Sequence, residues 1–411
     1  MSARPNSDRP LDGVRVIDLT TSYAGPTASM YLADLGATVI KVERPGGGDD
    51  ARGWGPPFVD GTSAWFATAN RNKESVVLDL GQEPGRDALR RLVESADVFM
   101  QNMNPSKLQR LGIDAESLLA RRPSLVYCAM SGFGLDGPDS HLPGYDLVAQ
   151  ARSGLMSVTG ELGRAPQRVS TALSDVVTGM CAAIAISAAL VRQARRGTGE
   201  IIDVSLLDTD LALMAPRIGA FHAGDPEPAP SGGTDSVLAV YQPFQTADRV
   251  IVIAIGNDAM WQRFCAATGL EDLGADPDLR DNSGRRAHRT RITERIGQVL
   301  ATRKATDWLA VMEAVSVPAA MVQSLSEVIE DPQVVARGAL MEVPGSNGTL
   351  VTVRSPFRLR TSMDPRNERF PALGADTERV LLELGYTPDE AAELARRGSA
   401  TAAPSAREAT S

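Results

Sequence analysis

The stretch VRVIDLTTSYAGPTASMYLADLGATVIKVE (14–43) decides the fold. Its first six residues, VRVIDL (14–19), read as a strand. GPTASMYLADLGA (25–37) has helical spacing, with Pro26 near the start as helix entries prefer. TVIKVE (38–43) is a second strand. A βαβ unit implies a parallel sheet with a right-handed crossover. The turn TTSYAGPTAS (20–29) is not GxGxxG, so the dinucleotide fingerprint is absent. What remains is a run of backbone N–H groups and a helix start at the carboxyl end of a strand, where open α/β sheets bind ligands.

The alternation continues outward from this unit. SVVLDL (75–80), DVFMQN (97–102) and LVYCAMSG (125–132) read as further strands, with a helix over 84–96 and two short helical pieces up to Arg121. Helices follow from about Tyr145, after Asp175, and from about Val204 to Ala223. The composition then shifts at GDPEPAPSGGTDS (224–236), a Pro/Gly/Ser-rich linker. The fold class read here is α/β: a Rossmann-like large domain with a parallel sheet, plus a smaller α/β domain. The expected divisions are 1–223 for the large domain, 224–236 for the linker and 237–330 for the small domain. Residues 331–397 return to the large domain, and 398–411 form a disordered tail.

The totals narrow the function. A chain of 411 residues can bury a substantial core, and a net charge of −9 disfavours general nucleic-acid binding. Cys128, Cys181 and Cys265 make no CxxC, and His141, His222 and His288 stand isolated, so no metal-ligand spacing exists. The few cysteines suit a reducing cytoplasm. MSARPNSDRP has no apolar core and is no signal peptide. The uncharged run 176–191 falls short of the roughly 20 apolar residues of a membrane span. It reads as a buried helix.

Basic residues recur near strand ends: Arg44, then Arg71 and Lys73 in NRNKES, then Arg110 in QNMNPSKLQRLG. On one side of a parallel sheet they would form a basic rim for a phosphorylated ligand. Each taken singly also reads as a solvated surface charge. Asp175 in ALSDVVTGM heads the apolar run. Locally it reads as a helix N-cap, a role Ser174 fills equally well. A carboxylate at a helix N-terminus is also kept ionised by N–H groups and the helix dipole, which preserves a nucleophile.

At these motifs the chain resembles the class III CoA-transferases, the family of formyl-CoA, carnitine-CoA and succinyl-CoA-dependent transferases. The resemblance runs from about Leu11 to Leu384. It is carried by LDGVRVIDLT, AGPTASMYLADLGATVIKVERPGGGD, NRNKESVVLDL, QNMNPSKLQRLG, SGFGLDGP, GYDLVAQARSGLMSVTG, ALSDVVTGM, GTGEIIDVSLLD and YQPFQTADRVIVIAIGND. It implies that Asp175 is the catalytic carboxylate. It implies that Ser22, Tyr23 and Ala24 lie along the thioester and pantetheine arm. Arg44, Lys73, Asn102 and Arg110 match residues around the nucleotide and its phosphates. Tyr145 and Asp146 match a pair near the reacting acyl group. Two departures stand out: Met103-Asn104 replaces a Phe-Arg common after the Asn of QN, and Asp235 stands near the place of a usual His.

The resemblance also implies an interlocked homodimer, acyl-CoA and a small carboxylic acid as substrates, and no tightly bound cofactor. The expected reaction moves CoA from an acyl-CoA donor, with a lean to succinyl-CoA, to an acceptor acid through an aspartyl-CoA thioester. An α-methylacyl-CoA racemase shares this fold. Racemase relatives carry His directly before Asp where this chain has Tyr145-Asp146, and tyrosine is a poor base near neutral pH. A non-catalytic CoA-binding protein is the third reading.

Overall fold

The computed structural model describes residues 9–59, 61–344, 349–361 and 369–399. The tail expected at 398–411 lies outside the described residues from 400 on. Residues 398 and 399 instead end a helix.

The elements run in chain order as follows. β1 (Arg15–Leu19), α1 (Ala24–Asp34) and β2 (Thr38–Glu43) form the expected opening unit. A small hairpin of β3 (Phe58–Val59) and β4 (Thr62–Ser63) leads into α2 (Ala64–Ala69). Then come β5 (Lys73–Val77), α3 (Glu83–Glu94), β6 (Val98–Gln101), α4 (Pro105–Leu111), α5 (Ala115–Arg121) and β7 (Val126–Ser131). α6 (Asp146–Arg152), α7 (Leu155–Val158), α8 (Leu173–Arg196), β8 (Glu200–Ser205) and α9 (Leu206–His222) follow.

The chain folds into two compact units. The first takes in residues 9–154, 169–219 and 336–399 of those described. Its centre is a six-stranded sheet in the order β5-β2-β1-β6-β7-β8, parallel throughout. The β-branched and apolar runs of β1, β2 and β7 are buried on both faces, as a sheet sandwiched between helix layers requires. On one face, α1 and α8 pack with Ala28, Leu32, Ala182 and Ile186. On the other, α3 and the helices after it pack with Leu89, Leu92 and Leu118. β1 is followed by β2 on one side and has β6 on the other. The strand order therefore switches between β1 and β6, where ligands of such sheets bind.

The second unit takes in residues 155–168 and 220–335. It pairs β9 (Tyr241–Gln245) and β10 (Val250–Ala254) with β11 (Ala319–Met321), all antiparallel. Helices α10 (Asp258–Thr268), α11 (Glu271–Ala275), α12 (Asn282–Ala287), α13 (Arg289–Leu300) and α14 (Ala305–Ala314) surround a core around Trp261, Phe264, Ile292 and Trp308. α15 (Leu325–Glu330) and α16 (Pro332–Ala336) lead out. β12 (Leu340–Pro344) and β13 (Thr349–Val353) then form a separate antiparallel pair, and α17 (Thr377–Glu383) and α18 (Pro388–Ser399) close the chain.

Two sequence readings change. EIIDVS (200–205) is an edge strand, so the helix expected from Val204 begins at Leu206. β5 begins at Lys73 rather than Ser75, and that shift matters for the basic rim.

Candidate active site

α8 places the central carboxylate. Its N-cap is Ala172, with no side-chain cap, and Asp175 is the third helical residue. The cap reading of Asp175 and of Ser174 therefore does not hold. The helix start is satisfied from other elements. The Ser174 amide donates to Asp146 Oδ1 at 2.9 Å, and the Ser174 hydroxyl donates to Asp210 Oδ2 at 2.8 Å. Asp146 opens α6 and is buried, with Gln150 donating to its other oxygen at 2.8 Å. Asp175 itself is half-buried. Burial, then Asp146 and Asp210, push its carboxyl up to about 7. Desolvation and two neighbouring acids thus act against the ionised carboxylate that the helix dipole favours.

α1 packs on α8. A Cβ on Gly179 would fall 2.8 Å from the Ala24 carbonyl oxygen and 2.9 Å from Thr27, so only glycine allows this approach. The two helix starts thereby share one cavity of about 480 Å³, bordered by Ser22, Ala24, His141, Tyr145, Asp175 and Thr178. Ser22 has φ +73, and its amide donates to Asp49 at 3.0 Å, which fixes the left-handed turn. Tyr23 is the N-cap of α1 and offers no side-chain cap. Its hydroxyl lies 3.2 Å from that of Thr68, and burial first, with Asp175 adding to it, pushes its phenol up. The amides of Ala24 and Gly25 have no intrahelical acceptor, as the geometry of a first turn dictates. The far wall is held by Gly132 and Gly144. A Cβ on Gly132 would lie 2.6 Å from the Gly144 Cα.

A second cavity of about 670 Å³ shares Thr21, Asn102, Met103 and Asn104 with the first. Arg44, Arg86, Lys107 and Arg110 border it. Lys107 and Arg110 are exposed and sit three residues apart on α4, hence on one face. Among the described residues neither has an ion-pair partner. Arg44 pairs with Asp50. Asn104, the departure from the family pattern, caps α4 by accepting from the Ser106 amide at 3.0 Å. In the second unit, Asp235 holds a turn by accepting from the amides of Val237 and Leu238.

Of the residues singled out in the sequence, Ser22, Ala24, Asn102, Tyr145 and Asp175 border the inner cavity, and Asn102, Arg44 and Arg110 the outer one. Tyr23, at the N-cap of α1, and Asp146, which holds the Ser174 amide, border neither. Arg71 and Lys73 are a correction. Both are buried away from the cavities. Arg71 is spent on Asp34 at 2.6 Å. Lys73 is spent on Asp18 at 3.2 Å, the Asn70 side chain at 2.7 Å and the Pro26 carbonyl at 2.9 Å. Lys73 is the first residue of β5, so it lies at the amino end of the sheet, opposite the loop that carries Arg44. Sequence reasoning passed over Lys107, Thr178 and Asp210. The first two sit at helical spacing from residues it chose. Asp210 arrives from another helix and gave no local signal.

The family model described as CoA-transferase family III matches residues 11–377. The succinate–glutarate CoA-transferase of Agrobacterium fabrum is 38% identical over 392 residues, 93% of this chain and 98% of that one. The acetyl-CoA:oxalate CoA-transferase of Acetobacter aceti is 36% identical over 383 residues, 93% of this chain and 97% of that one. A crystal structure of a CAIB/BAIF family protein from Brucella suis superposes with a TM-score of 0.80 at 37% identity, covering 92% of this chain and 99% of that one. The chain belongs to CoA-transferase family III and is a CoA-transferase, with CoA thioesters as its substrates.

Proposed function

We propose that Asp175 is the nucleophile, and that the chain moves CoA between succinyl-CoA and a small carboxylic acid of the glutarate type. One observation carries the reading. The cavity that holds Asp175 adjoins the cavity bordered by Lys107 and Arg110, and Thr21, Asn102, Met103 and Asn104 line both. An acyl-CoA laid along this path sets its phosphates against free cations and its thioester beside the carboxylate. The carboxylate attacks the thioester carbonyl, giving an aspartyl mixed anhydride and CoA thiolate. The thiolate attacks the aspartyl carbonyl and expels the donor acid, leaving an enzyme–CoA thioester. The acceptor carboxylate then takes the donor's place and the steps reverse. The amides of Ala24 and Gly25 are donors for the oxyanion on the donor thioester.

The choice of succinyl-CoA and glutarate rests on relatives that carry those names. We read the enzyme as an interlocked homodimer in the cytoplasm. The first unit leaves Ile184, Val191, Leu211, Leu213 and Ile218 exposed on α8 and α9, as a partner surface requires, and the cysteines are free thiols.

The test is covalent. The enzyme is incubated with succinyl-CoA and no acceptor, and the adduct is mapped by mass. A CoA adduct on the peptide holding Asp175, released by hydroxylamine and absent in Asp175→Asn, supports the reading. Transfer at wild-type rate by Asp175→Asn, with no deamidation to Asp, overturns it. Deuterium uptake at the α-carbon of a 2-methylacyl-CoA without an acceptor acid would place the chemistry with the racemases.

A further inference from the structure

The reaction proposed above makes a tetrahedral centre on the carbonyl carbon of Asp175 itself. That oxyanion is distinct from the one on the donor thioester and needs its own hydrogen-bond donor. Thr178 lies three residues after Asp175 in α8, so the two side chains share a helix face. Both border the inner cavity. Thr178 is 1% exposed, and its hydroxyl is buried with no hydrogen-bond partner among the described residues. A hydroxyl inside a helix ordinarily returns to the carbonyl four residues back. Ser187 in this same helix does so, donating to the Ala183 carbonyl at 2.7 Å. Leaving a buried hydroxyl unmet costs its full desolvation penalty. Beside a reacting carboxylate, such an orphan calls for an atom that arrives during the reaction. The Thr27 hydroxyl, on α1, is likewise unpaired among the described residues, but Thr27 borders neither cavity.

We propose that the Thr178 hydroxyl donates to the carbonyl oxygen of Asp175 in its acylated state and stabilises the oxyanion formed on that carbon. The proposal rests on Asp175 being the nucleophile. When CoA thiolate attacks the mixed anhydride, the C–S bond forms and the carbonyl electron pair moves onto oxygen. Collapse of this centre breaks the C–O bond and expels the donor carboxylate, and no proton is consumed. The acceptor half of the cycle passes through the same centre in reverse. Thr178 makes no bond to the Asp175 carboxylate at rest, so a bond gained only in the tetrahedral state lowers the barrier directly.

The experiment compares Thr178→Val, which removes the hydroxyl at nearly constant shape, with Thr178→Ser, which keeps it. Thr178→Val lowers kcat on the order of 100-fold, leaves KM for acyl-CoA unchanged and does not lower Tm, since an unmet polar group is gone. Thr178→Ser recovers most of the rate. A merely structural threonine gives the opposite pattern, a lower Tm with kcat preserved. Thr178→Ala removes the same hydroxyl where valine does not pack. Turnover within about twofold of wild type in a folded hydroxyl-less variant, or a serine variant as slow as the valine one, overturns the proposal. Failure of wild type to form any adduct on Asp175 overturns the nucleophile reading and this inference with it. A wild-type adduct with an unimpaired Thr178→Val overturns this inference alone.

Discussion

Thr21 and Asn102 bond each other in both directions across the switch point of the sheet. The Thr21 amide donates to Asn102 Oδ1 at 3.1 Å, and Asn102 Nδ2 donates to the Thr21 carbonyl at 2.9 Å. The loops after β1 and β6 are thereby tied together where the two cavities meet. Asn102→Ala releases both bonds and frees the wall common to both cavities. It should raise KM for acyl-CoA and lower kcat together, each by about tenfold or more, because positioning errors of this kind act on binding and on attack. Steady-state kinetics checks this, and a change in KM alone would assign Asn102 to the nucleotide end only.

Lys107 and Arg110 should act differently, because they sit far from the bond being made. Contacts to distant phosphates are present in ground and transition states alike. Lys107→Ala and Arg110→Ala should each raise KM for acyl-CoA by about tenfold with kcat nearly constant, one charge-assisted contact being worth about 1.5–3 kcal/mol. The loss should shrink at high salt. Arg397→Ala, at an exposed residue paired with Glu393, is the control. An Arg110→Ala enzyme no weaker for acyl-CoA than the control would remove Arg110 from the site.

Much of this site was legible in the sequence, for a physical reason. β1, α1 and β2 are continuous apolar runs with clear punctuation, and local pattern is what periodicity reports. The loop after β1 and the head of α8 were found through such runs. What stayed hidden depends on tertiary partners. Nothing near Arg71 announces that Asp34, on another element, will consume its charge. The shift of β5 to Lys73 was equally invisible, because a strand that opens on charged residues breaks the apolar pattern. The satisfaction of α8 by Asp146 and Asp210 likewise joins three helices that only the fold assembles.

Arg71 should therefore matter to stability rather than to binding. Its guanidinium makes two bonds to Asp34, at 2.6 Å and 3.2 Å, and Asp34 also accepts from Asn72 at 2.7 Å. This joins the end of α1 to the segment before β5. Arg71→Ala leaves a buried carboxylate without its cation, at a cost of about 3–5 kcal/mol. Thermal and urea denaturation should show the loss, while the fraction that remains folded keeps the wild-type KM for acyl-CoA. A tenfold rise in KM at unchanged Tm would restore Arg71 to the phosphate rim.

The pH dependence tests the environment of Asp175. Asp146 faces it from α6, Asp210 from α9, and Tyr23 from the start of α1. With its carboxyl pushed up to about 7, and with the carboxylate as the attacking form, kcat/KM for acyl-CoA should rise with pH through about 7. It should fall about tenfold per pH unit below that. Asp210→Asn keeps an oxygen to accept from Ser174 and removes one negative charge. A neighbouring anion disfavours a second one, so its removal lowers the pKa of Asp175 and moves the acid limb to lower pH. A limb that stays in place or moves upward would show that Asp210 does not act on Asp175. Stability gives an independent reading. The folded chain holds the Asp175 proton more tightly than the unfolded chain, whose carboxyl ionises near 3.8. Stability contributed by this residue is thus present at acid pH and is lost as pH rises from about 4 to about 7. Asp175→Asn escapes that loss. It should melt above wild type at pH 8 and level with it near pH 4, and equal melting temperatures at both would place Asp175 in a far wetter site than the one described.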